Sequence, residues 1–323
     1  MGASSTRVGS STGPTRSMTP RGYGDRRDRR HRRSDRRRGG RARCPAGRRL
    51  GHPPGQELRG LEPEAWRFDA RGPRLDRRWM VVDDAGRFVS LREEPRLARC
   101  RVALLGPPDP VPGLRLDWDD QRFEVDPVPD DGDRPTTTAT LWGAERVVVD
   151  EGDDVAEWLS SRLGRSVRLQ RHLPDRDPWT QPDPPADGAT TGLSDGYPVL
   201  VLAMSTIEAA VGVGISPRRF RANILVSGVA AHAEDRWRRI RIGEVELELV
   251  KPCVRCVATT VDPDTGQRTG TEPLTTLSRT RIWNGKPVLG WNALVRSPGK
   301  IRRGDDIRVG VWRNADDSFV QTG

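Results

Sequence analysis

Short apolar runs separated by turn-forming residues dominate the chain from Leu58 onward. Trp79–Val82, an Asp-Asp-Ala-Gly turn and the strand-like residues 88–90 predict a β-hairpin. Other short runs rich in β-branched and aromatic residues predict further strands at 99–105, 114–118, 123–125, 138–142, 146–149, 199–203, 223–227, 237–242, 244–250, 257–261, 292–295 and 306–312. Many short strands at close spacing are typical of barrels and sandwiches rather than of a doubly wound sheet. The sequence therefore predicts a mainly β (α+β) fold.

Two segments have helical features. Apolar residues at helical spacing, followed by Gly164 as a stop, predict an amphipathic helix over 153–163. Ser205 and Glu208 have the spacing of a capping box, which predicts a short helix over 205–211. A few short helices are therefore expected among the strands.

The formal net charge of +10 is concentrated in residues 1–50. Sixteen Arg and three Asp give this segment +13, which leaves −3 for the rest of the chain. Because the segment has almost no apolar residues, burial cannot offset its ordering entropy, and a disordered tail is predicted. Translation from upstream of the true start and a non-specific arm for RNA or phosphate are alternative interpretations. The rest of the chain is not basic, so nucleic-acid binding beyond this arm is not expected.

The composition also bears on where the protein works. The basic segment lacks the apolar stretch of a secretory signal, and no run of 18 apolar residues predicts a membrane span. Four cysteines without a secretory signal are typical of a reducing compartment. A cytoplasmic protein is therefore expected.

Two cysteines three positions apart, Cys253 and Cys256, carry the clearest chemical signal. Lys251 and Arg255 lie beside them, and cations favour the thiolate, which ligates soft metals or acts as a nucleophile. Half a zinc site, a redox dithiol and two packed thiols are alternative interpretations. No second pair of Cys or His at ligand spacing supports zinc, and the β-branched residues that follow disfavour a thioredoxin-like helix start.

Three stretches resemble the MOSC-domain proteins, relatives of the molybdenum cofactor sulfurase C-terminal domain and of the amidoxime-reducing molybdoenzymes. Residues 253–266 match the family pattern Cys-x-Arg-Cys-x-x-Thr-Thr-Val-Asp-Pro-x-Thr-Gly. The segment Phe-Arg-Ala-Asn-Ile at 220–224 resembles the family's Phe-Arg-Pro-Asn-Ile, and Asp-Arg-Arg-Trp at 76–79 resembles its N-terminal Asp-Arg-x-Trp. The resemblance runs from about Leu58 to Val311.

The resemblance implies a domain organisation. Residues 51–172 would form the MOSC N-terminal β-barrel domain, and residues 191–316 would form the MOSC β-barrel domain. The segment 173–190, rich in Pro, Asp and Thr, would be the linker between them. The tail, 1–50, would lie outside both domains.

The resemblance also implies a mononuclear molybdenum–pterin cofactor in a cleft between the two domains. Cys256 would be the catalytic residue and the thiolate ligand of the metal, because a soft thiolate suits molybdenum. The other implied cofactor-binding residues are Arg77, Asp195, Gly196, Tyr197, Arg221, Asn223, Cys253 and Asn292. Guanidinium groups bind phosphate bidentately, and a carboxamide can pair with a pterin edge.

The implied activity is the two-electron reduction of small N-hydroxylated substrates. No ferredoxin-like cysteine cluster follows the MOSC domain, so the electrons would come from a separate protein. The alternative is a non-catalytic carrier of sulfur or of the molybdenum cofactor. Such a carrier would hold a persulfide on Cys256 and would work with a pyridoxal-phosphate-dependent desulfurase.

One stretch, residues 52–60, departs from the family. Relatives have a strand that ends in a Tyr-Pro-Val-Lys-Ser-like turn, whose Lys and Ser hold the cofactor phosphate. The sequence here is His-Pro-Pro-Gly-Gln-Glu-Leu-Arg-Gly, with no Lys, an acid at the turn and no apolar strand before it. The loss of one cationic contact is expected to weaken phosphate binding by about 1.5–3 kcal/mol. The missing strand is expected to leave an unpaired sheet edge.

Overall fold

Strands outnumber helices throughout the part of the chain that the computed structural model describes. The description covers residues 60–314 apart from 107–110, 127–134, 177–178 and 181–189, and it includes Leu58 and the short strands at 43–44, 49–50 and 321–322. No helix among these residues is long and apolar enough to cross a membrane.

The secondary-structure elements are numbered in chain order. The strands are β1 (Arg43–Cys44), β2 (Arg49–Leu50), β3 (Ala65–Asp69), β4 (Gly72–Pro73), β5 (Trp79–Val82), β6 (Arg101–Leu105), β7 (Gly113–Trp118), β8 (Gln121–Val125), β9 (Thr137–Leu141), β10 (Ala144–Asp150), β11 (Arg168–His172), β12 (Trp179–Thr180), β13 (Thr190–Thr191), β14 (Val199–Ala203), β15 (Ile224–Val226), β16 (Trp237–Ile242), β17 (Val245–Val254), β18 (Arg281–Trp283), β19 (Lys286–Ser297), β20 (Gly299–Arg302), β21 (Ile307–Trp312) and β22 (Gln321–Thr322). The α-helices are α1 (Asp153–Leu163), α2 (Met204–Val211) and α3 (Leu274–Thr280). Short 3₁₀ segments lie at Pro95–Arg99, Pro217–Phe220, Ala233–Arg236 and Val257–Thr260.

The strands form one large sheet and several small ones. The large sheet has the order β1-β21-β16-β17-β19-β14-β15-β2, with β18 paired to β19 and β22 paired to β18. The smaller sheets have the orders β5-β11-β10-β9, β6-β7-β8, β20-β3-β4 and β12-β13. Sheets packed through their apolar faces, with few helices, are the architecture that the alternating apolar runs predicted. The predicted mainly β fold is confirmed.

The strand β14 is entirely apolar and lies between β19 and β15 in the large sheet. All five of its residues are buried, as expected for an apolar strand covered on both faces. It pairs in parallel with β15 and antiparallel with β19. The strand predicted at 199–203 is confirmed.

The core of the N-terminal region is built on β5 and α1. All four residues of β5 are buried, and α1 turns Val155, Leu159 and Leu163 towards the same apolar cluster. The helix ends at Gly164, whose φ of 60° is left-handed and favours glycine. The predicted helix over 153–163 and its glycine stop are confirmed.

The predicted start of the second helix is wrong. The helix α2 begins at Met204, and no side chain caps it. Ser205 lies inside the first turn, and its Oγ donates to the carbonyl of Val229 at 2.8 Å. The hydroxyl is therefore used in a tertiary contact, which a local capping pattern cannot reveal.

The strand predicted at 257–261 is also wrong, because Val257–Thr260 forms a 3₁₀ segment. The hydroxyls of Thr259 and Thr260 donate to backbone carbonyls three residues earlier, at 2.9 Å and 2.8 Å. Such local bonds compete with strand pairing. Val261 then enters the apolar core of the N-terminal region. The β-branched run is thus used for a tight turn that packs against the other half of the molecule.

Two short strands lie within the range 1–50 that was predicted to be a tail. Arg43–Cys44 pairs antiparallel with β21, and Arg49–Leu50 pairs antiparallel with β15. The expected unpaired edge is therefore covered at β15 by a strand that the sequence pattern did not indicate. The turn without lysine, residues 51–57, lies outside the described residues.

Most of the predicted linker, 173–190, also lies outside the described residues. Within it, Trp179–Thr180 pairs antiparallel with Thr190–Thr191. A two-strand ladder therefore joins the two ends of this segment.

Candidate functional site

A cavity of about 390 Å³ lies where β14, β17 and β19 face residues that precede β5. A volume of this size is typical of cofactor and small-molecule sites. All nine residues predicted for the site line this cavity, namely Arg77, Asp195, Gly196, Tyr197, Arg221, Asn223, Cys253, Cys256 and Asn292. The fold thus brings together residues from distant parts of the chain, while the role of each one stays a prediction.

Two long neighbouring strands carry the cysteines to the cavity. β17 and β19 pair antiparallel, and their register shifts on either side of Pro252. Such bulges bend a strand and re-aim its side chains, and they accommodate a proline that a regular ladder excludes. The irregular end of β17 therefore presents Cys253 and then Cys256, while Asn292 on β19 pairs with Lys251.

The two cysteines are held in different ways. Both are free thiols and both are partly buried. Arg255 donates from Nη1 to Cys253 Sγ at 3.0 Å and from Nη2 to the carbonyl of Phe220 at 2.8 Å. The carbonyl of Cys256 accepts from the backbone N of Thr259 at 3.1 Å and from its Oγ1 at 2.9 Å. A guanidinium thus orients the Cys253 side chain, whereas the hydrogen bonds to Cys256 fix its backbone.

The cavity is strongly cationic. Its cationic lining residues are Arg77, Arg92, Arg219, Arg221, Lys251 and Arg255. Among the described lining residues, the only carboxylate is Asp195. Clustered charges of one sign in a concave wall focus the potential and raise the local concentration of opposite charge. The lining therefore fits an anionic ligand, and phosphate in particular suits guanidinium groups.

Two of the lining arginines have left-handed backbones. The φ angles of Arg77 and Arg221 are 49° and 53°. A non-glycine residue in this region costs roughly 1–2 kcal/mol, so surrounding contacts must hold it there. Arg77 Nη2 donates to the carbonyl of Arg221 at 3.4 Å, and Arg221 Nη1 donates to the carbonyl of Leu58 at 3.0 Å. The fold therefore holds both cations in set positions, which is common at binding sites.

Asn223 is only 2% exposed, and its carboxamide is bonded at both ends. Its Oδ1 accepts from the backbone N of Leu200 at 2.8 Å, and its Nδ2 donates to Asp76 Oδ2 at 3.0 Å. Asp76 Oδ2 also accepts from Arg77 Nη1 at 2.5 Å. Asn223 therefore has structural partners on both sides.

Asp195 faces the opposite wall of the cavity. Its Oδ2 accepts from Arg92 Nη2 at 2.8 Å, and the Arg92 guanidinium lies 4.7 Å from the ring centre of Trp142. The Asp195 side chain is still 58% exposed, and partial desolvation by the surrounding cavity wall raises its pKa above the ordinary value, although Arg92, Arg77 and Arg255 each act to lower it. The carboxyl is therefore closer to holding a proton than an ordinary aspartate.

The sequence analysis missed four of the cavity's cations as site residues. Lys251 and Arg255 flank the cysteines, so their position in the motif was a usable signal. Arg219 donates to the carbonyl of Thr260 and to Asp262 Oδ2, both at 3.0 Å, and so braces the turn after Cys256. Arg92 begins the stretch 92–97, which continues the resemblance to MOSC proteins after residue 79, so the sequence offered a signal there as well.

The donor set fits a metal carried by an organic group. The described residues contain no cluster of three or more His, Cys, Asp or Glu side chains that could hold a metal ion. A metal bound by Cys256 would therefore take its remaining ligands from the group that brings it. The cationic wall fits an anionic carrier of this kind, such as a phosphorylated pterin with a dithiolene.

Comparisons with known proteins define the family of this chain. A family model of the MOSC domain matches residues 190–308, and a model of the MOSC N-terminal beta barrel domain matches residues 54–166. The chain therefore belongs to the family of MOSC proteins that carry an N-terminal MOSC β-barrel domain, the family of the amidoxime-reducing components.

Among its relatives are the mitochondrial amidoxime-reducing components 1 of Mus musculus and Homo sapiens. The mouse protein is 34% identical over 247 residues, which cover 72% of this chain and 71% of the relative. The human protein is 31% identical over 251 residues, which cover 72% of each chain. Among solved structures, the YUAD protein of Bacillus subtilis aligns with 83% of this chain and 96% of its own at 12% identity, with a TM-score of 0.37 that is too low to bear on the fold.

Proposed function

We propose that this protein binds a molybdenum–pterin cofactor in the cationic cavity and reduces N-hydroxylated small molecules with electrons from a separate protein. The observation that carries the proposal is the meeting of Cys256 with six cations around one cavity. A soft thiolate and an anion-binding wall are the two features that this cofactor needs from a protein. The names of the relatives, amidoxime-reducing components, support the substrate class.

The residues would divide the task of holding the cofactor. Cys256 would supply the thiolate ligand of the metal. Arg77 and Arg221 would bind the phosphate or the pterin, because both guanidinium groups are fixed by backbone carbonyls from other segments. When bound, the cofactor would supply the two-electron chemistry that removes the oxygen atom from nitrogen.

The protein's own chemical contribution would be proton delivery. Reduction of an N–OH group to N–H consumes two electrons and two protons and releases one water. Asp195 has a raised pKa and lies on the cavity wall, so it is suited to hold a proton at a carboxylate oxygen and to pass it to the leaving hydroxyl. Arg92, paired with Asp195 at 2.8 Å, would set the direction of the carboxylate. The hydroxyl of Tyr197 lines the same cavity and could relay a proton.

The first test is the molybdenum and pterin content of the purified protein. Wild type is expected to carry near-stoichiometric molybdenum and pterin, and Cys256→Ser is expected to lose most of the metal. Cys253→Ser is the matched control, because Arg255 rather than a metal orients that sulfur. Equal metal in wild type and Cys256→Ser would refute the ligand assignment. Negligible metal and pterin in wild type would refute cofactor binding.

Turnover separates the reductase from a carrier. With a chemical electron donor such as a reduced viologen dye, the loaded protein is expected to convert benzamidoxime to benzamidine over many cycles. A carrier would instead release stoichiometric, cyanide-labile sulfur from Cys256 and would show no turnover. That result would replace the reductase proposal with the carrier.

A further inference from the structure

A buried carboxylate links two residues on the cavity wall. The Asp76 side chain is 5% exposed, and its Oδ2 accepts from Arg77 Nη1 at 2.5 Å and from Asn223 Nδ2 at 3.0 Å. Asp76 and Asn223 lie 147 positions apart in the chain. One carboxylate oxygen therefore ties the segment before β5 to the segment before β15.

The backbone of β14 sets the orientation of Asn223. The backbone N of Leu200 donates to Asn223 Oδ1 at 2.8 Å, and the backbone N of Asn223 donates to the carbonyl of Leu200 at 3.0 Å. An N–H donor can be met only by the oxygen of a carboxamide, so the amide nitrogen must face away from Leu200. It therefore faces Asp76, and the donor and acceptor roles along this chain of bonds are fixed.

Arg77 is the residue that these bonds constrain. Its guanidinium donates from Nη1 to Asp76 and from Nη2 to the carbonyl of Arg221, and its backbone is left-handed. A long cationic side chain loses considerable rotamer entropy when it is fixed. A carboxylate acceptor offsets that cost better than a neutral one, because hydrogen bonds between charged groups are stronger.

We propose that Asp76 and Asn223 are positioning residues, and that Asn223 acts on a bound anion through Asp76 and Arg77 rather than as a direct contact. The series from Leu200 through Asn223 and Asp76 to Arg77 holds one guanidinium ready on the cavity wall. The proposal deepens the proposed function and rests on it only for the identity of the anion. It assigns a purpose to Asp76 and changes the expected role of Asn223.

The test exchanges the two polar groups. Asn223→Asp places two carboxylates against each other, and Asp76→Asn removes the charged acceptor of Arg77. The double variant Asp76→Asn/Asn223→Asp restores a donor facing an acceptor between positions 76 and 223, with the amide now at position 76. Because one oxygen of Asp76 serves both Asn223 and Arg77, the exchange does not give Arg77 back its acceptor. The side chain at 223 still accepts from Leu200, so this variant keeps the shape of the original arrangement.

Inorganic sulfate is the probe, measured by titration calorimetry, because its charge is constant between about pH 5 and about pH 8. Each single variant is expected to lose roughly tenfold or more in sulfate affinity, the effect of one charged hydrogen bond. The exchanged variant is expected to bind sulfate no better than Asp76→Asn, because Arg77 still lacks its carboxylate acceptor. It is expected to unfold at a higher temperature than Asn223→Asp, because its facing groups are again a donor and an acceptor. The sulfate affinity of Asn223→Asp is expected to be higher at the lower pH, where one of the two facing carboxyls takes up a proton.

Asn284→Asp, an exposed position in the turn between β18 and β19, controls for the added charge and is expected to leave sulfate binding unchanged. Two results would overturn the proposal: wild-type sulfate affinity in Asp76→Asn or in the exchanged variant, or wild-type affinity in Asn223→Asp. If wild type binds no sulfate, the anion site itself fails, and thermal unfolding then decides the matter. An exchanged variant that melts above Asn223→Asp supports the linked arrangement, and one that does not refutes it.

Discussion

The N-terminal region, residues 60–176, and the C-terminal region, residues 190–314, contribute unequally to the cavity. Only Arg77 and Arg92 come from the N-terminal region, whereas both thiols, the acid and the amides come from the C-terminal region. The C-terminal region therefore holds the groups capable of metal ligation and proton transfer. The N-terminal region adds charge and closes the wall, so the two regions can be tested separately.

The two regions differ in what they contribute to the cavity, but each contains a largely buried ion pair that is bonded to a tryptophan. In the N-terminal region, Arg171 Nε donates to Glu151 Oε1 at 2.8 Å, and the indole N–H of Trp79 donates to the same oxygen at 2.6 Å. The Glu151 side chain is 3% exposed and the Arg171 side chain is 1% exposed. A buried ion pair capped by a tryptophan thus holds β5, β10 and β11 together.

The C-terminal region has a similar cluster. Arg281 donates to both carboxylate oxygens of Asp235, at 2.7 Å and 2.9 Å, and the indole N–H of Trp291 donates to Asp235 Oδ1 at 2.8 Å. The Asp235 side chain is 20% exposed, so water still reaches it. The likeness shows that both regions use the same device for stability, while only one of them supplies the reactive groups.

The largest expected effect comes from breaking these ion pairs. Arg171→Met should lower the free energy of unfolding by about 3–5 kcal/mol, because Glu151 stays buried without its guanidinium partner. Arg281→Met should cost less, since Asp235 is more exposed. Urea denaturation followed by circular dichroism measures both. Arg87→Met is the control, because Arg87 pairs with Asp83 at the surface. It should lower the free energy of unfolding by less than about 1 kcal/mol. A cost for Arg281→Met above that of Arg171→Met would contradict the comparison.

Anion binding tests the division of labour at the cavity. Arg77→Ala should weaken sulfate binding by about 1.5–3 kcal/mol, because a fixed guanidinium is lost from the wall. Arg92→Ala should weaken it less, since the Arg92 side chain is 37% exposed and that of Arg77 is 11% exposed, so water screens the charge of Arg92 more. Titration calorimetry gives both values, and Arg101→Ala, exposed on β6, is the control outside the cavity. Equal losses of sulfate affinity from Arg77→Ala and Arg92→Ala would contradict this ranking.

A glycine at the contact between the regions gives a third test. Gly72 has a φ of +103°, and a Cβ there would lie 2.6 Å from the carbonyl oxygen of Pro198, next to Tyr197. Gly72→Ala should destabilise the protein by more than the roughly 1–2 kcal/mol of backbone strain alone. Gly106→Ala is the matched control, with a φ of +96° and nothing within 4 Å of the added Cβ. Equal unfolding temperatures for the two variants would mean that the backbone at Pro198 can move to accept the added Cβ without loss of stability.

The smallest effect is a pH dependence that differs between two aspartates. The pKa of Asp195 is raised by folding, so the folded protein binds a proton at this carboxyl more readily than the unfolded chain does. The free energy of unfolding therefore falls as pH rises through that pKa. Asp195→Asn should therefore melt above wild type near neutral pH, and the difference should vanish below the ordinary carboxyl pKa. Unfolding temperatures across that pH range test this expectation. An Asp195→Asn variant that melts below wild type near neutral pH would contradict the prediction.

Asp262 provides the contrast. Burial acts to raise its pKa, but hydrogen bonds from the backbone of Thr265 and Asp264, together with Arg219, lower it overall. Its ionised form is thus favoured by folding, and stability is lost as pH falls through the pKa of the folded state. Asp262→Asn should melt below wild type near neutral pH, and the gap should close in acid. The same measurement therefore gives opposite signs for the two residues.

Much of the fold was predictable because local patterns record burial. The alternating and apolar runs indicated β14, β16 and α1 at their observed bounds. The segment after Cys256 was not predictable in this way, because the Thr259 and Thr260 hydroxyls and the packing of Val261 decide its shape. Ser205 was misread for the same reason, since its partner lies in another loop. Propensity gives way where tertiary contacts compete with it.

The candidate site was predictable to the extent that its residues lie in short motifs. Cys256, Arg221 and Arg77 each stand in a recognisable stretch, and the fold brings the three stretches to one cavity. Arg92 also stands in a stretch that resembles the family, 92–97, but nothing in that stretch indicated that its side chain would line the cavity. The bonds between Asp76 and Asn223 depend on the meeting of two distant segments, so no local pattern contains them.

The bond from Arg77 to the carbonyl of Arg221 spans 144 positions of the chain. During synthesis, the ribosome releases the N-terminal region long before the residues that complete this bond leave the exit tunnel. A nascent chain therefore carries Arg77 and Arg92 with no opposing wall and no Cys256. All the residues that line the cavity are therefore present only after translation has passed Asn292.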